Sequence, residues 1–160
     1  MVNKTKLPLI ILYSGLLVGT LDILSALLYY YIITGNNPVR IFPYIASGAF
    51  GRNAFSGSNN MIIAGILFHY LIAFIFTIVF FLFYSYIKNI FRNWIIRGIV
   101  YGIFIWCMMN LIVVPLSHTP SPTWKPDRMM INAAILIVAI GLPLSLIAER
   151  TNRRQPVTSN

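Results

Sequence analysis

Residues Gly15 to Ala26 read GLLVGTLDILSA, and the aspartate at position 22 has at least ten mostly apolar residues on either side. It is one of only three acidic residues in the chain. A carboxylate at the centre of an apolar helix costs about 2.5 to 3.5 kcal/mol to insert in a membrane, so it is kept for a purpose. Two chemistries suit it. It can exchange a proton or hold a ligand, or it can tie helices together through hydrogen bonds to groups such as His69, Asn110 or Thr20. His69, Asn110, Asn132 and His118 are the other polar side chains whose positions suit a proton or ligand pocket.

The elements that must position these groups are apolar helices. Hydrophobic residues make up 58% of the chain and charged residues only 9%, too few to cover a water-facing surface. Four apolar runs stand out, at about 9–33, 61–86, 94–114 and 129–148. Each is near the ~20 residues that cross ~30 Å of hydrocarbon, and none alternates as a barrel strand does. The expected fold is therefore all-α: a single integral membrane bundle of four transmembrane helices over 1–150, followed by a short basic cytoplasmic tail at 151–160. Lys4 and Lys6 precede the first run as in a secretion signal, but the run continues to Ile33, longer than a signal's apolar region of about 7–15 residues.

Charge sets the expected orientation. Four crossings put Lys4, Lys6, Lys88, Arg92, Arg97, Arg150, Arg153 and Arg154 on one side, against Arg40, Arg52, Lys125 and Arg128 on the other. The positive-inside rule then places both termini in the cytoplasm of a bacterial inner membrane, as a multi-pass protein. The net charge of +9 is explained by this bias and by anionic headgroups meeting the tail RTNRRQPVTSN. No basic-aromatic interleaving suggests a nucleic-acid partner.

Two connections lie on the outer side. TGNNPVRIFPYIASGAFGRNAFSGSNN contains enough apolar residues to predict a short interfacial helix over about 39–50 and a turn rich in Gly, Ser and Asn. PLSHTPSPTWKPDR has four prolines and is expected to form a stiff extended cap.

Helical spacing assigns faces. Gly15, Gly19, Asp22 and Ala26 share one stripe of the first helix, which turns Asp22 toward protein. Gly65, His69 and Ala73 share another in the second helix; Gly98, Gly102 and Trp106 lead to Asn110 in the third. In the fourth, Ala134, Gly141, Ser145 and Ala148 form a row, and Pro143 is expected to kink it. The glycines at 15, 19, 65, 98, 102 and 141 are the expected packing positions, since small residues let helices approach closely. Such stripes also allow a homo-oligomer. Counted from the outer ends at ~1.5 Å per residue, Asp22 lies roughly 16 Å deep, His69 roughly 12 Å and Asn110 roughly 7 Å. Asn132 is similarly shallow and His118 belongs to the cap. These groups are expected to line one outward-opening pocket.

Other chemistries find little support. Cys107 is the sole cysteine, which excludes an internal disulfide and a cysteine metal cluster. His69 has no second intramembrane histidine to share a haem, and no spacing favours zinc, so neither a metal nor a cofactor is expected. There is no acidic pair, phosphate loop or serine elbow, and no enzymatic activity is expected.

The stretch AGILFHYLIAFIFTIVFFLFYSYI, the glycine-led GIVYGIFIWCMMNLIVVPLSHTPSPTW and the closing helix with IAER resemble the YagU-like family of uncharacterised bacterial inner-membrane proteins. Where that family's pattern has an acidic residue and a Gly-His pair before the last helix, this chain has MMINAAIL. The resemblance implies a multi-helix inner-membrane protein and supplies no activity. Three function classes follow from the residues: a structural or stress-related helix bundle with a polar outward-facing pocket, the leading expectation; a small proton-coupled transporter or channel using Asp22; and an outer-leaflet ligand sensor.

Overall fold

The structure is a computed structural model that describes residues 7–120 and 126–153. Lys4, Lys6, Lys125, the centre of the proline-rich connection and the tail from Arg154 onward lie outside the described residues. Every described element is helical. The helices α1 (Leu7–Thr34), α3 (Asn59–Ile90), α4 (Trp94–Leu116) and α5 (Pro126–Asn152) are long and apolar enough to cross a membrane. The short helix α2 (Ile41–Phe50) lies between α1 and α3, flanked by 3₁₀ turns at Pro38–Arg40 and Gly51–Phe55. The spans run on past the apolar runs, to Ile90 rather than 86 and to Asn152 rather than 148. A helix ends where its last amides and carbonyls find other partners, and hydropathy falls earlier than that.

Local chemistry fixes the turns. Ser58 caps α3 by accepting from the Asn60 amide at 3.3 Å, and Asn93 caps α4 by accepting from the Ile95 amide at 2.8 Å. After α1 the chain reverses at Gly35, whose φ of 64° suits a residue without a β-carbon. Its amide bonds the Tyr31 carbonyl at 2.8 Å.

The helices pair in chain order. α1 packs on α3 and α4 packs on α5, with smaller contacts joining the pairs. Glycines set both approaches. A β-carbon on Gly141 would stand 2.1 Å from the Gly98 carbonyl oxygen, and one on Gly102 would stand 2.5 Å from the Ile137 Cα, so the α4 and α5 backbones touch. Between α1 and α3 the space at Gly15 and Gly19 is taken by the rings of Phe74 and Tyr70. Gly65 receives the backbone of Phe42, which seats α2 on α3.

Both α4 and α5 contain a π-helical stretch, at Met108–Val113 and Ile137–Gly141. Each ends two residues before a proline, Pro115 and Pro143. A proline has no amide hydrogen to give the carbonyl four residues back, here Leu111 and Ala139, and the local geometry widens around that gap. The disturbance expected at Pro143 thus takes the form of a wider turn, with a counterpart in α4.

The packing is uneven along the bundle axis. The main core cluster, which includes Val18, Phe80, Tyr84, Tyr101, Ile105, Leu144 and Ala148, occupies the half nearer the Phe91–Asn93 turn. Toward the other end the helices part.

Candidate functional site

The parted helices enclose a cavity of about 1040 Å³. Asp22, His69, Asn110 and Asn132, one from each spanning helix, all line it. Its mouth is formed by Tyr30 and Thr34 of α1, the segment around Arg40 and Tyr44, and Arg128 at the start of α5. Apolar side chains such as Ile23, Phe76, Ile105 and Ile140 make most of its deep wall.

The floor is built by the close α1–α3 contact. His69 donates from Nε2 to the Gly19 carbonyl at 2.8 Å, and its ring meets Tyr70 edge-on at 5.5 Å between centroids. Because a carbonyl can only accept, that hydrogen bond puts a proton on Nε2. Tyr70 also shares a 2.9 Å hydrogen bond with Thr20, whose hydroxyl donates to the Leu16 carbonyl at 2.8 Å. The glycine stripe of α1 therefore ends on α3 at Gly19, and one turn farther along the same stripe Asp22 and Ala26 face open space.

Asp22 is partly buried and lies within electrostatic reach of His69. Among the described residues it makes neither a hydrogen bond nor an ion pair. Tyr29 also lines the cavity, and its buried hydroxyl has no partner among the described residues. Asn110 spends its amide on the Trp106 carbonyl at 2.9 Å, within its own helix, which leaves Oδ1 free. Asn132 is exposed at the wide end. His118 does not join these groups: it is exposed, and its amide donates to the Gly48 carbonyl at 3.1 Å, fastening the end of α4 to α2.

A second polar cluster sits at the opposite end of the bundle. Arg97, 1% exposed, donates to Glu149 at 2.6 Å and to the Tyr84 hydroxyl at 3.0 Å, while Tyr84 donates to Glu149 at 3.3 Å. The guanidinium also lies 5.4 Å from the Tyr84 ring centroid. The charge count took Arg97 as one of the cations of the cytoplasmic side; the structure makes it an internal, ion-paired charge of the bundle. The signal was in the sequence. Arg97 lies three residues inside the start of α4 and Glu149 three residues from the end of α5, opposite charges at one depth.

Compared with family models, curated proteins and solved structures, the chain matches none of them.

Proposed function

We propose that this is a multi-pass protein of the bacterial inner membrane, both termini cytoplasmic, that binds a small amphipathic molecule in a pocket opening toward the outer side. One observation carries the reading: polar side chains from all four spans line a single cavity of about 1040 Å³. That volume is at the top of the range for small-molecule sites, ~300–1,000 Å³. The leading expectation, a structural bundle in which Asp22 ties helices, is less well supported. The helices are joined by His69 to Gly19, Thr20 to Tyr70, Tyr101 to the Phe76 carbonyl and Ser145 to the Trp94 carbonyl. None of these ties uses Asp22. The resemblance to the YagU-like family agrees with an inner-membrane bundle and carries no further weight.

The test is binding of the neutral fluorescent probe N-phenyl-1-naphthylamine to the protein in nanodiscs. Ala26→Trp fills the cavity beside Asp22 and is expected to weaken the probe about tenfold, with a melting temperature close to that of the wild type. Asp22→Asn is expected to keep the fold as well. Unchanged probe binding in Ala26→Trp rules the pocket out. A large loss of thermal stability in Asp22→Asn restores the structural tie.

The nearness of Asp22 to His69 favours a second reading, proton-coupled transport. A pH-gradient flux in proteoliposomes that Asp22→Asn abolishes would establish it.

A further inference from the structure

The charges of the cavity are segregated. Arg40, in the 3₁₀ turn before α2, and Arg128, in the first turn of α5, come from distant parts of the chain, and both line the cavity at the same end of the bundle. Both are exposed, and neither has an ion pair or a side-chain hydrogen bond among the described residues. Among the described lining residues the one acid is Asp22. It lies twelve residues inside the outer end of α1, about 18 Å along the axis at ~1.5 Å per residue. Among the described residues Asp22 makes no ion pair with either arginine.

Between mouth and floor the wall is mostly hydrocarbon, with Ile23, Ile33, Ile45, Phe76, Ile105 and Ile140, and Asn110 and Asn132 interrupt it. The distance matches a known length. Half of a ~30 Å hydrocarbon core is ~15 Å, the span of one acyl chain. The floor then offers the Asp22 carboxyl, and nearer the mouth Tyr29 offers its hydroxyl, as hydrogen-bonding capacity that no described protein group takes up.

Resting on the pocket reading, we infer that the ligand is an amphiphile with one anionic head, a carboxylate or a phosphate, held by Arg40 and Arg128, and one apolar chain that runs down the wall toward Asp22 and His69. The guanidinium fork suits both heads, since it offers two parallel N–H donors to a pair of anionic oxygens. A cationic amphiphile drawn to Asp22 is disfavoured. It would have to pass both arginines, of which Arg128 has Asp127 beside it in the chain and Arg40 has no acid in its own 3₁₀ turn. The same head chemistry is offered by a free fatty acid and by an anionic phospholipid that feeds one chain into the cavity.

The experiment uses the full chain in nanodiscs of zwitterionic lipid. Three fluorescent probes of equal chain length are titrated: a fatty acid, its uncharged monoglyceride and an alkylammonium. The fatty acid is expected to bind about tenfold tighter than the monoglyceride, and more tightly still as salt is lowered. Arg40→Gln and Arg128→Gln should each remove part of that preference and the double variant all of it. Monoglyceride binding should fall less than fatty-acid binding in each variant, because its uncharged head gains no ion pair from either arginine. Adding anionic phospholipid to the discs separates the two sources. Competition against the fatty acid identifies the lipid as a ligand, and none identifies the free amphiphile; either supports the anionic head. Equal or tighter binding of the monoglyceride or the alkylammonium overturns the inference and leaves the pocket standing, provided Ala26→Trp still blocks it. Failure of all three probes, together with the neutral naphthylamine, removes the pocket itself.

Discussion

Arg97 is the largest of the side chains buried to below two per cent exposure, and it is charged. Its cost is met by Glu149 and Tyr84, which take two of its nitrogens, while Nε has no partner among the described residues. Removing one member of a buried pair strands the other, a loss of about 3–5 kcal/mol in proteins at large. Glu149→Gln should therefore lower stability by several kcal/mol in a denaturation series. Arg97→Met combined with Glu149→Met should recover much of it, because no lone charge is left. A Glu149→Gln protein as stable as the wild type would show that the pair contributes little. At this scale the sequence was legible for Asp22 and His69, since a polar residue deep in an apolar run is visible without a fold. It was less legible for Arg97 and Glu149. They sit near helix ends, where charges usually face headgroups, and only the pairing of α4 with α5 turns them toward each other.

At the scale of elements, glycines and prolines divide the work. The glycine spacings predicted contact faces, but not which face meets which, and the contacts differ in kind. Gly141 and Gly65 face backbone at 2.1 Å, whereas Gly19 faces a tyrosine ring at 3.1 Å. Backbone cannot turn aside and a ring can. Gly141→Ala and Gly65→Ala are therefore expected to cost about 1–3 kcal/mol, the range for overpacking, by forcing α4 from α5 and α2 from α3. Gly19→Ala should cost less than either. Thermal unfolding of the three variants in one detergent gives the ranking, and a Gly19 variant that is the least stable would contradict it. The π-helical stretches left a trace in Pro115 and Pro143, yet the proline rule gives only a disturbance. Whether the backbone kinks or widens depends on the neighbouring helix, and here α4 and α5 press against each other.

Taken whole, the bundle is closed at one end and parted at the other. The four spans were readable from length and hydropathy alone, because a bilayer imposes the same length on every helix that crosses it. The cavity was readable only in outline, as polar residues that all lie within about 16 Å of the outer ends at ~1.5 Å per residue, since its volume depends on how far the helices separate. Sidedness can be tested directly. With Cys107 replaced by alanine, a cysteine at Asn53 should react with an impermeant thiol reagent from outside intact cells, and one at Asn89 only after permeabilisation. The reverse pattern would turn the pocket toward the cytoplasm. The chain-order pairing has one more consequence. α1 with α3, and α4 with α5, each find their main partner within one stretch of chain, and α2 belongs to the first stretch. The turn Phe91–Asn93 is all that joins the two stretches covalently. The molecule is thus divisible: a cut in that turn would leave two fragments, each already holding its own pair of spans and able to find the other by lateral diffusion, so the fold is specified by surfaces more than by the continuity of the chain.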